Sequence, residues 1–115
     1  MQNELSERLL DFAADIIKLI VRLKKTAEGR HIGGQLMRSA ASAGANYEEA
    51  CGAESRADFI HKLQIVLKEL RESFYWLCLI KKVNLISDTD VEPILQEAKE
   101  LANIIGKSIV TAKKK

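Results

Sequence analysis

Proline occurs once in the 115 residues, as Pro93, and cysteine twice, as Cys51 and Cys78. Two cysteines are too few for a disulfide scaffold. A helical map sets them about 30 Å apart, far beyond the roughly 7 Å between Cα atoms that a bridge tolerates. They read as reduced, partly buried thiols. Aromatic residues are only 5% of the chain, which argues against a surface for stacking bases. No apolar run approaches the roughly 20 residues of a membrane span. No basic-then-apolar leader opens the sequence, which predicts a cytosolic protein with no membrane role. Neither sign of charge dominates: 18 Lys and Arg against 16 Asp and Glu leave +2. A committed nucleic-acid binder usually carries more. No stretch alternates with period two for long enough to be a strand, and there are no repeats or low-complexity linkers.

What is present is apolar residues at 47% and charged residues at 30%. That is too apolar for a disordered chain, and the length suits one domain over residues 1–115. Leu5, Leu9, Phe12, Ile16, Leu19 and Leu23 step by four and three, one face of a helix over about 3–25. Acidic residues come early in it and Lys18, Arg22, Lys24 and Lys25 late, which suits the helix dipole. Glu28-Gly29-Arg30 reads as a turn. A second helix over about 31–51 shows Leu36, Ala40, Ala43, Tyr47 and Ala50 on one face. Ser55-Arg56-Ala57-Asp58 resembles a capping box for a third helix, about 56–83. Asn84 to Ser87 is the last turn. Ser87 with Asp90, or Thr89 with Glu92, caps a fourth helix, about 88–112, with Pro93 in its first turn. Lys113 to Lys115 form a frayed tail. Four helices on short connections predict an all-α, antiparallel up-down-up-down four-helix bundle.

Two segments break local rules. The second helix opens on Arg30 and His31 and closes on Glu48 and Glu49, against the dipole. It also carries Gly33, Gly34 and Gly44, each costing up to about 1 kcal/mol against Ala. Small residues there predict close approach between helices. On the same helix Gln35, Ser39, Ser42, Asn46 and Glu49 form a polar seam at core spacing, with Arg38 beside it. An antiparallel hairpin puts Arg38 level with Glu69 and Gln35 level with Glu72, so Arg38 is expected to pair with Glu69 or Glu72. The seam fits a buried polar network fixing register or a subunit contact, a solvated face, or a ligand site. The third helix is apolar on too many sides for a lone bundle. Tyr75, Trp76 or Leu79 is therefore expected to contact a neighbour in a homo-oligomer.

Catalytic signals are weak. Glu28-x-x-His31 and Asp58-x-x-His61 resemble halves of a carboxylate-bridged metal site. The two histidines fall roughly 22 Å apart along the axis, so one chain cannot join them. Exposed histidines are the better reading. No cysteine pair has zinc spacing, and no nucleophile elbow or phosphate loop occurs. No enzyme, metal or cofactor is expected. The topology gathers Arg22, Lys24, Lys25, Arg30, Lys81 and Lys82 at one end, against Glu28, Asp88, Asp90 and Glu92. An oligomer would multiply that basic end into a phosphate-binding surface.

The run Gln35 to Ala50, with Ser55 to Ile60 and Lys68 to Leu77, resembles the signature of the 23S ribosomal RNA intervening-sequence proteins, also called four-helix-bundle proteins. Ala50 stands where many members have glycine. The resemblance implies a small helical protomer that often assembles as a ring-like pentamer. A related branch, the accessory proteins of diversity-generating retroelements, binds a reverse transcriptase and nucleic acid and is markedly more basic. Carried over, the phosphate contacts would be Arg22, Lys24, Lys25, Arg30, Lys81 and Lys82. The expected function is a non-enzymatic helical oligomer that binds RNA or DNA without strong sequence preference. The alternative is a protein–protein adaptor or scaffold with no nucleic-acid role.

Overall fold

In the computed structural model, which describes residues 3–115, the chain forms four helices. They are α1 (Glu4–Ile20), α2 (Ala27–Cys51), α3 (Arg56–Lys82) and α4 (Asp88–Lys114). Asn3 caps α1 by accepting from the Ser6 amide at 2.8 Å, and Glu4 and Glu7 occupy the first turn. The expected helix over 3–25 stops at Ile20. The apolar periodicity runs unbroken through Leu23, but Thr26 caps the next helix, accepting from the Gly29 amide at 3.0 Å. The chain must therefore reverse within residues 21–26, and it does so through short-range bonds from Arg22 to Leu19 and from Leu23 to Ile20. Leu23 still closes the core at that end.

The expected turn Glu28-Gly29-Arg30 is the first turn of α2. Only glycine fits at position 29, because a Cβ there would lie 2.3 Å from the Lys24 carbonyl oxygen. Glu28 now sits favourably for the dipole, while Glu48 and Glu49 at the far end do not. Ser55 caps α3 by accepting from the Asp58 amide at 3.0 Å. The end of α3 turns through Asn84 at φ 56, a left-handed value that asparagine tolerates. The Leu85 amide there bonds the Ile80 carbonyl and the Asn84 amide the Lys81 carbonyl, a paired closure that seats buried Leu85 on Ile80. Ser87 caps α4, but its hydroxyl bonds the Asp90 carboxylate instead of a backbone amide. Pro93 is the sixth residue of α4, one turn later than expected. The Thr89 carbonyl it leaves without a helical donor is on the exposed side. Lys113 and Lys114 continue the helix instead of fraying.

Neighbouring helices run antiparallel. Gly44 lies beside Leu9, and Gly33 beside Ile20. Arg38 reaches Glu69 and Glu72, while Glu49 reaches Lys62. Lys81 meets Glu92, and Arg8 and Arg22 meet Glu97 and Asp90. The result is an up-down-up-down bundle measuring 46 × 21 × 19 Å. Its core runs the full length, with Phe12, Ile16, Leu36, Leu70, Leu77 and Leu101 fully enclosed. Each such side chain contributes roughly 1.5–3 kcal/mol.

Candidate nucleic-acid interface and assembly surfaces

The six cations expected at one end do meet there, around the α1–α2 and α3–α4 turns. The Lys24 amide bonds the Leu85 carbonyl at 3.4 Å, tying the two turns together. Two of the six are ion-paired, and Lys25 donates to the Val21 carbonyl at 3.4 Å. Arg22 donates to Asp90 at 2.8 Å and Lys81 to Glu92 at 2.6 Å. The Ser87 hydroxyl and then Arg22 hold the Asp90 carboxyl below its ordinary range. Lys81 and then Gln96 do the same for Glu92, and Glu92 in turn raises the Lys81 ammonium. Glu28 is also lowered, by its own backbone amide at the helix start, then by Thr26 and by nearby Arg30. Lys24, Lys25, Arg30 and Lys82 are exposed and form no ion pair among the described residues.

The polar seam divides into two kinds of contact. Across to α3, Arg38 bonds Glu69 at 3.0 Å and also Glu72, and the Trp76 indole N–H donates to the same Glu72 oxygen at 3.1 Å. Arg38 and then Trp76 depress the Glu72 carboxyl, and Glu72 raises the Arg38 guanidinium. Beneath them the Ser39 and Ser73 hydroxyls lie 2.8 Å apart, wholly buried. Each also faces a carbonyl of its own helix, that of Leu36 or Glu69. With one proton apiece, one hydroxyl donates across and the other back to its helix. Glu49 pairs with Lys62 at 2.8 Å. Ser42 and Asn46 bond each other along α2 instead of reaching α3. Half-buried Gln35 takes part in none of these bonds, and Arg38 holds the Glu72 carboxylate that lies level with it.

Of the expected interface residues, Tyr75 is 59% exposed. Trp76 and Leu79 are half-buried against the core, with the Trp76 ring edge-on to both His31 and Tyr75. His61 is exposed on α3. Sequence reasoning missed a second apolar surface. Leu10, Ile17, Val21 and Met37 stand exposed along the α1–α2 face. The signal was a second stripe of Leu10, Ile17 and Val21 beside the core stripe. Alanines and glycines on α2 continue it without bulk. Close approach holds at Gly33, whose Cβ would crowd Ile20 at 3.1 Å, whereas at Gly44 a Cβ would make only ordinary contact with Leu9, at 3.8 Å or more. It does not hold at Gly34, where nothing lies within 4 Å. The same face contains Ser6, whose buried hydroxyl has no hydrogen-bond partner among the described residues. No three His, Cys, Asp or Glu side chains converge as a metal site among the described residues. None of the helices is long and apolar enough to cross a membrane.

Comparison with known proteins matches residues 1–107 to the profile described as 23S rRNA-intervening sequence protein. A solved structure from Bacteroides thetaiotaomicron is similar, with a TM-score of 0.85 and 36% identity, covering 92% of this chain and 98% of that one. It is described as a protein with unknown function from the S23 ribosomal protein family. No curated protein matches this chain.

Proposed function

The chain belongs to the 23S rRNA-intervening sequence protein family, and from that premise we propose a non-enzymatic helical protein that self-assembles and holds RNA or DNA by the phosphate backbone. The observation that carries this reading is the set of four exposed cations that form no ion pair among the described residues, Lys24, Lys25, Arg30 and Lys82, at two turns joined at one end. One copy offers few phosphate contacts. Several copies sharing an orientation offer many, and affinity then falls steeply with salt. Contacts from lysine and arginine to phosphates carry no sequence information, so the reading is sequence-tolerant binding.

A second reading, an adaptor or scaffold without nucleic acid, is favoured by the Arg22–Asp90 and Lys81–Glu92 pairs, which neutralise part of the basic end. Titrating a structured RNA across salt concentrations separates the two. The first reading expects binding at low salt that weakens linearly on a log–log plot. Replacing Lys24, Lys25, Arg30 and Lys82 together by Gln should flatten the slope. Absence of binding at low salt overturns it in favour of the scaffold.

A further inference from the structure

We propose that the hollow between α1 and α2, at the end of the bundle away from the two joined turns, binds a small primary amine with an apolar body. This goes beyond the nucleic-acid reading and does not depend on it. The hollow has a volume of about 270 Å³. A cavity of roughly 150 Å³ is already enough to hold benzene. Its apolar walls are Leu9, Leu10 and Ala13 on α1 and Ala41 and Ala45 on α2. Leu10 stands 49% exposed there, so an apolar body laid on it would remove that surface from water.

Two polar groups complete the lining, Ser6 and Glu48. Ser6 is 2% exposed, and its hydroxyl has no hydrogen-bond partner among the described residues. A buried hydroxyl left in that state is costly, and a bound polar group relieves it. Glu48 is half-buried and forms no ion pair among the described residues. It stands in the last turn of α2, where the helix dipole adds negative potential. Among the described residues, no lysine or arginine lines the hollow. A carboxylate so placed selects a cation.

The register sorts the hollow into a head and a tail. Gly44 lies beside Leu9 and Gly33 beside Ile20. Along the axis these contacts set Glu48 level with Leu5, one residue from the height of Ser6. They set Ala41 level with Phe12, one residue from the height of Ala13. The polar pair therefore shares one end and the alanines the other, about 10 Å along the helices. An ammonium has three protons to give and accepts none. One reaches the Glu48 carboxylate, a second the Ser6 oxygen, and the third stays in water at the mouth. An aryl ring on a short chain then follows the walls toward Ala13 and Ala41. The hollow at the far end of the same face is lined by Lys24, Lys25 and Arg30, and it repels an amine.

The test is calorimetric titration of the full chain with phenethylamine, at low salt and neutral pH. Phenethyl alcohol and phenylacetate serve as neutral and anionic counterparts, and circular dichroism checks folding. The native chain is expected to bind the amine saturably at millimolar concentration. The alcohol should bind about tenfold more weakly, and phenylacetate not at all. Glu48→Gln should weaken the amine about tenfold, and Ser6→Ala about threefold. Ala45→Leu fills the hollow from an exposed position and should abolish binding while the chain stays helical. Amine binding unchanged by Glu48→Gln and by Ala45→Leu overturns the site. So does a native chain that takes up no amine, including one whose hollow a second copy covers. Equal binding of the alcohol overturns the selection for a cation.

Discussion

Helix α2 is held to its two neighbours by opposite means. Against α1 and the turn that follows it, α2 offers absence of bulk: Gly33 accommodates Ile20, and Gly29 passes beneath the carbonyl of Lys24 in the turn. Against α3 it offers directed bonds: Arg38 to two carboxylates, Ser39 to Ser73, and Glu49 to Lys62. Apolar contact is non-directional, so the first kind brings helices close but says little about register. Hydrogen bonds hold to narrow distances and angles, so the second kind sets register. The difference teaches how one small helix joins two neighbours without sliding.

The largest expected effect breaks the α1 side. Gly29→Ala would place a Cβ 2.3 Å from a backbone oxygen that no rotamer change can move. Alanine normally gains about 1 kcal/mol over glycine inside a helix. Here the sign should reverse to a loss of about 2–3 kcal/mol, read from the urea midpoint at unchanged slope. Gly106→Ala is the control, because nothing among the described residues lies within 4 Å of that Cβ. A gain of about 0.5–1 kcal/mol is expected there. Equal effects at the two glycines would mean that the turn joining α1 to α2 is not held by close fit.

The next effect breaks the α3 side. Arg38→Met strands Glu69, whose side chain is only 10% exposed, while the Arg38 side chain itself is 49% exposed. A fully buried pair broken in this way loses about 3–5 kcal/mol and a surface pair about 0–1. The mixed exposure points to a loss of about 1–2 kcal/mol in the same urea measurement. A loss within error would reduce the seam to a solvated face.

The two sides were not equally legible in the sequence. The α3 side followed from arithmetic: an antiparallel hairpin brings Arg38 to Glu69 and Glu72, and polar residues at core spacing stand out against an apolar stripe. Gln35 and Asn46 did not follow, because spacing places a residue on a face without choosing its partner. The α1 side was harder to read. Apolar periodicity carried the first helix five residues too far, since Leu23 stays in phase while a threonine three residues later starts the next helix. Gly29 looked like a turn residue, though its role is steric room inside a helix. Leu10, Ile17 and Val21 were hidden by a core stripe regular enough to account for the helix alone.

The smallest effect sharpens the comparison through pH. Arg38 and then Trp76 hold the Glu72 carboxyl below its ordinary value. The folded state therefore favours the ionised form, and Glu72 contributes stability that is complete above the unfolded value of about 4.3. As pH falls through that value toward the lower folded one, the contribution disappears. Asp90, Glu92 and Glu28 are depressed too, by partners outside the seam, and add slopes of the same sign. Those slopes are common to the native chain and the Arg38→Met variant, so they cancel in the difference. The stability gap between the two proteins should be widest near neutral pH and narrow as the solution is acidified below about 4. It should not close fully, because the aliphatic part of Arg38 still packs at low pH. Parallel curves down to low pH would show that α2 rests on α3 by packing, as it does on α1.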